Sequence, residues 1–291
     1  MGGSHRKRLG HNIDTLVYIA VIFAAVLHAG WNAVLRIGLD RNATMVLLAI
    51  VQALVAILLL HFVTQPAPAA WAWIVGAGLL HAGYKVFLVQ AYNRADLTQV
   101  YPLARGTAPL IIALVAFLFL EERIAPIALL AVALISGGIM ILAFKSAGGA
   151  RMTSAALFFA LGTAVFTASY TLFDAVGARI AGTASGYILW MVIVDAIFML
   201  IYWVALKRSF SLTPLLPAWK SGFFAGTMSL GSYWIAIWAF TQAPVATVAA
   251  LRESSIAFAV LIAYFFLKEP VNAWRWGSAG AIALGVFLLK A

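Results

Sequence analysis

Residues 91–122, AYNRADLTQVYPLARGTAPLIIALVAFLFLEE, return in altered form at 239–269 as AFTQAPVATVAALRESSIAFAVLIAYFFLKE. The first copy carries one extra residue, and the match sets Arg105 opposite Arg252 and Glu122 opposite Glu269. Upstream, Trp71, Gly78 and Gly83 meet Trp219, Gly226 and Gly231 at one constant spacing. The segment HAGWNAVLR (28–36) matches TASYTLFDA (167–175) more weakly. The chain is therefore a tandem repeat whose two copies are built on long apolar runs.

Composition says where such a repeat can live. Of 291 residues, 65% are hydrophobic and only 10% are charged; mean hydropathy is +1.02. A soluble domain averages about 25% charged residues, and a soluble fold of this composition would expose large apolar patches. A soluble enzyme and a disordered chain are both excluded. A membrane barrel would alternate in polarity along segments of ~10 residues, whereas these runs are continuously apolar. The expected class is an all-α polytopic membrane protein.

A helix crosses the hydrocarbon with about 20 residues. Ten such runs are expected: 15–35, 44–63, 71–93, 97–119, 124–144, 154–177, 183–206, 217–241, 245–267 and 272–289. The breaks hold turn residues or charge, such as Gln65-Pro66-Ala67-Pro68, Glu121-Glu122-Arg123 and Lys268-Glu269-Pro270. The expected organisation is a tail at 1–14, a five-helix repeat at 15–144, a loop at 145–153 and a second five-helix repeat at 154–291. An odd number of spans per copy turns the second copy upside down, which is the inverted-repeat architecture used for alternating access. His5-Arg6-Lys7-Arg8 before an apolar run imitates a signal peptide, but Thr15–Leu35 is longer than such a core, so it reads as the first span. The net charge of +10 is scattered between apolar runs and reads as membrane-flanking charge, not as a nucleic-acid surface.

Ionisable groups inside a span are costly and need partners or a function. Five lie deep: Lys85, Arg105, Asp195, Arg252 and Glu253. Arg105 and Arg252 hold equivalent repeat positions. Each could line a polar cavity and grip a substrate carboxylate with its planar fork, or lock helices through an ion pair with Glu253 or Asp195. Glu253 and Asp195 are candidates for coupling or counter-ion roles. His28, Trp31 and Asn32 share one face of the first span, and Asn32 must find a partner inside the bundle. His81, Tyr84 and Lys85 share a face of the third. Tyr101 lies one turn before Arg105, and Pro102 and Pro109 beside them can loosen the helix. Tyr233 lies one turn beyond Ser229. Together His28, Trp31, Asn32, His81, Tyr84, Lys85, Tyr101, Arg105, Tyr233 and Arg252 form the expected substrate-binding set. No nucleophile motif, metal-ligand spacing or phosphate-binding loop occurs, and with no cysteine there is neither a thiol nucleophile nor a disulfide. No catalytic residue, metal or cofactor is expected.

The five-plus-five repeat, the helix-ending motifs FLFLEER (117–123) and YFFLKEP (264–270), and HAGWN (28–32) together resemble the drug/metabolite transporter superfamily in its ten-helix form with two EamA-type domains. Within it the chain is similar to bacterial exporters of amino acids and related metabolites, including aromatic amino acids. The resemblance implies an inner-membrane carrier with a central cavity between the repeats. Small four-helix multidrug members of the superfamily carry a glutamate in the middle of their first helix. Here that region reads AVLHAGWNAV (25–34), with His28 and no carboxylate.

The expected function is thus export of small organic solutes, most of all amino acids, by a secondary carrier and not an enzyme. The alternatives are a membrane enzyme acting on lipid-linked substrates, a multidrug or cation exporter, and a channel. The expected partners are a small-molecule substrate and the lipid bilayer, with no nucleic acid and a monomeric state. Both termini are expected on one side. Arg6, Lys7 and Arg8 favour the cytoplasm, as the resemblance does, although a count over all loops favours the reverse.

Overall fold

The computed structural model describes residues 13–35, 41–94, 97–120, 125–146, 152–207, 213–266, 268 and 271–290. Among them there is no strand. Eleven α-helices follow in chain order: α1 Thr15–Leu35, α2 Arg41–Leu59, α3 Trp71–Tyr92, α4 Leu97–Phe119, α5 Pro126–Ser146, α6 Ser154–Ala181, α7 Ala184–Lys207, α8 Trp219–Gln242, α9 Val245–Arg252, α10 Ser255–Phe265 and α11 Ala273–Leu288. Arg6, Lys7, Arg8, Arg36, Glu121, Glu122, Arg123 and Glu269, which carry parts of the sequence argument, lie outside the described residues, as does the Tyr101 side chain.

Local chemistry sets several helix ends. Thr153 accepts a hydrogen bond from the amide of Ala156, and Asn272 accepts one from Arg275, each capping a helix start. Asp14 Oδ1 does the same for Leu16 at 2.8 Å. Gly182 closes α6 in the left-handed conformation (φ 69°), which only glycine adopts without strain.

Eight segments are long and apolar enough to cross a membrane, with α9 and α10 counted together as Val245–Ile262. α5 adds a shorter apolar stretch, Pro126–Leu142. α11, with 16 residues, falls below the roughly 20 that a bilayer asks for. Large apolar side chains stand exposed along the outer faces, among them Phe62, Leu114, Phe117, Phe158 and Phe224. In water that surface would aggregate; in lipid it is the solvated face.

The helix packing repeats itself under exchange of the two halves. α1 lies on α8, and its counterpart α6 lies on α3. α4 meets α6 as α9 and α10 meet α1; α4 meets α5 as α10 meets α11. The matched glycines act alike. A Cβ on Gly78 would stand 2.7 Å from Val194 of α7, and one on Gly226 would stand 2.7 Å from Val51 of α2. Both allow the close helix approach that small residues provide in membranes.

Two elements differ from the sequence expectation. The ninth run is two helices: the amides of Glu253 and Ser254 bond three residues back, to Ala250 and Leu251, so the helix tightens there. Arg252 and Glu253 are adjacent but reach different helices, α8 and α4, and the tightened turn parts them. The sixth helix runs to Ala181 instead of residue 177, which moves Asp174 a turn deeper from its end.

Candidate functional site

The six charged side chains that are buried among the described residues are Lys85, Arg105, Asp174, Asp195, Arg252 and Glu253. Their partners come from different helices. Lys85 of α3 donates to Asp195 Oδ2 of α7 in a fully buried ion pair. Arg105 of α4 meets Glu253 Oε1 at 3.0 Å. Separating either pair would leave a charge stranded in a low-dielectric core.

Asp174 of α6, fully buried, is an anchor for three helices. His81 Nε2 of α3 lies 2.9 Å from its Oδ2, and Tyr187 of α7 donates to Oδ1 at 3.0 Å. Tyr233 of α8 donates to Oδ2. The His81 ring also stacks on Tyr170, centroids 4.0 Å apart. These bonds satisfy a carboxylate that would otherwise be costly to bury.

Arg252 is different. Among the described residues its guanidinium makes no hydrogen bond or ion pair; it lies over the Tyr233 ring, 4.7 Å from the centroid. Such cation–π contact stabilises a desolvated guanidinium by about 2 kcal/mol and leaves its N–H groups available.

Of these groups, His81, Lys85, Tyr170, Asp195, Tyr233 and Arg252 border a cavity of about 60 Å³, large enough for a few waters. Its walls come from both halves of the repeat: His28 and Trp31 of α1, Gln52 of α2, His81, Tyr84 and Lys85 of α3, Tyr170 of α6, Asp195 of α7, Ser229 and Tyr233 of α8, and Arg252 of α9. Met45, Leu48, Met191 and Val192 supply an apolar wall. Trp31 Nε1 donates to His28 Nδ1 at 3.2 Å. His28 Nδ1 therefore carries a lone pair, and the ring proton sits on Nε2.

Of the substrate-binding set expected from sequence, His28, Trp31, His81, Tyr84, Lys85, Tyr233 and Arg252 line this one space, as does Asp195. Asn32 does not; its amide donates to the backbone carbonyl of His28 at 2.8 Å. Arg105 and Glu253 stand outside the lining, bound to each other. Sequence reasoning passed over Asp174, Tyr170, Tyr187 and Gln52, and named Ser229 only as a neighbour of Tyr233. The carboxylate in TASYTLFDA was the available signal for Asp174. The aromatic and small polar residues carry no mark of their own in an apolar helix.

Comparison with known proteins bears on this arrangement. Residues 15–144 and 154–291 each match the EamA-like transporter family. One solved crystal structure, 18% identical in sequence, superposes with a TM-score of 0.74 and covers 94% of this chain and 95% of that one, which shows a shared fold. No curated protein matches the chain. With the family unit spanning nearly all of the sequence in two copies, the chain belongs to the EamA-like transporter family.

Proposed function

We propose that this chain is a secondary carrier that exports small organic solutes, foremost amino acids, across the bacterial inner membrane. The observation that carries this reading is Arg252, a buried arginine with no ion-pair partner among the described residues, lining a cavity walled by both repeats. An unpaired guanidinium in that setting is a receptor for a carboxylate. α5 and α11 complete ten spans, the two halves run in opposite senses, and both termini face the cytoplasm. Alternating access then consists of the halves rocking about a fixed central site. The cavity as seen is narrow, so a solute enters when the halves part on one side. His28, Trp31, His81, Tyr84, Lys85, Tyr233 and Arg252 contact the solute; Arg105 and Glu253 hold the broken ninth span to α4.

Counterflow in proteoliposomes tests this. Vesicles preloaded with an unlabelled amino acid should take up the same labelled amino acid transiently and saturably. Linear, non-saturating flux would instead mean a channel, and no amino-acid flux would overturn the substrate assignment.

A further inference from the structure

We propose that His81 is a proton-binding site of the carrier, with Asp174 as its fixed counter-ion, and that the proton binds together with the carboxylate of the solute. This rests on the carrier reading above and names what travels beside the solute. Asp174 receives hydrogen bonds on both oxygens, from Tyr187 on Oδ1 and from Tyr233 on Oδ2, so it is an ionised carboxylate. It therefore accepts from His81 Nε2 as well, 2.9 Å away, which leaves the lone pair of the neutral ring on Nδ1. Of the three groups bonded to Asp174, the imidazole is the one that can add a proton; a phenol can only give one up. His81 lines the cavity with 12% of its side chain exposed, whereas Asp174 has no exposed surface and is held by two residues of the cavity wall, His81 and Tyr233.

Charge ties the proton to the solute. Of the six buried charges among the described residues, Lys85 is paired with Asp195 and Arg105 with Glu253. The remaining two, Arg252 and Asp174, oppose each other across Tyr233, whose ring faces the guanidinium and whose hydroxyl bonds the carboxylate. A solute carboxylate on Arg252 adds a negative charge to that pair, and an unbalanced charge in low dielectric is costly. The ammonium of an amino acid cannot reach Asp174, which is closed off from the cavity. A proton on His81 restores the balance at Asp174. Around the ring the other titratable groups are the phenols of Tyr84 on α3, Tyr170 on α6, Tyr187 on α7 and Tyr233 on α8, with Lys85 held by Asp195 of α7. The second cavity histidine, His28 of α1, accepts from Trp31 on Nδ1 and meets no carboxylate among the described residues.

The test is solute accumulation in proteoliposomes holding the full chain, with the membrane potential clamped. Labelled phenylalanine is offered in a bath one pH unit more acidic than the lumen. One proton carried with each solute lets the label accumulate up to about tenfold inside, whereas an uncoupled carrier stops at equal concentrations. His81→Gln keeps a donor for Asp174 but cannot take the proton, so its label should level off at equal concentrations. This end point is independent of rate, and a variant that merely bound the solute less well would still accumulate it. Tyr187→Phe, which takes a bond from the same carboxylate, should also still accumulate. Levelling in the unaltered protein while counterflow persists overturns the proton site and leaves the carrier reading standing. Accumulation driven only by the opposite gradient overturns the joint binding of proton and carboxylate. Accumulation by His81→Gln overturns the assignment to His81. Absence of flux for every amino acid overturns both readings.

Discussion

The guanidinium of Arg252 lies over the ring of Tyr233, whose hydroxyl donates to Asp174. One aromatic residue thus joins a cavity-lining cation on one side to a fully buried carboxylate on the other. It links α9 to α6 through α8, and so ties the cavity wall to a carboxylate that holds three helices.

The two repeat-related arginines should respond differently to the same change. Arg105→Gln leaves Glu253 buried without its cation, at a cost of about 3–5 kcal/mol. Lower expression and an earlier thermal transition in detergent are expected, whatever solute is assayed. Arg252→Gln breaks no ion pair, so the protein should fold, while amino-acid counterflow falls. Equal thermal transitions for the two variants would remove the distinction between them.

Asp174 is expected to matter for stability although it is paired with no lysine or arginine among the described residues. Asp174→Asn turns one acceptor oxygen into a donor amide among three donors, His81, Tyr187 and Tyr233. The loss should approach about 3 kcal/mol, whereas Tyr187→Phe, which removes one bond to a charged group, should cost about 1.5–3 kcal/mol. Thermal unfolding of both variants checks the order; an Asp174→Asn protein as stable as the parent would refute the anchoring role.

Glycine substitutions test the packing symmetry of the halves. Gly78→Val and Gly226→Val each drive a side chain into a valine across a helix contact and should each cost about 1–3 kcal/mol. Gly137→Ala, whose Cβ would meet nothing within 4 Å, should be silent. A silent Gly226→Val beside a damaging Gly78→Val would break the proposed equivalence.

The chain has no cysteine, so single cysteines report accessibility directly. Ser229→Cys, on the cavity wall beside Gln52, should react with small methanethiosulfonates, and an anionic reagent should outpace a cationic one because Arg252 shares the space. Ser278→Cys, buried where Ser278 now donates to the Gly138 carbonyl, should stay inert. The reverse order of reactivity would place the water-accessible space elsewhere.

Helices, the tandem repeat and the depth of most charges were legible along the chain because each is a local property. Twenty apolar residues in a row must satisfy their own backbone in lipid, and that demand makes a helix wherever the run occurs. The equivalence of Gly78 with Gly226, and of Arg105 with Arg252, was visible for the same reason: a repeat is a one-dimensional pattern. Partner choice was not visible. Lys85 and Asp195 are 110 residues apart, and nothing near either residue says which acid the lysine will meet. The repeat made Arg105 and Arg252 look interchangeable, yet Glu253 can reach only one of them squarely, and that choice leaves the other facing the cavity. A sixth span that stopped at residue 177 would hold Asp174 in its last turn. In the folded protein α6 continues to Ala181 and carries the carboxylate inward, to three donors from three other helices. Hydropathy determines which segments enter the membrane, whereas the pairing of buried charges depends on distances across the bundle, which exist only once the helices have packed.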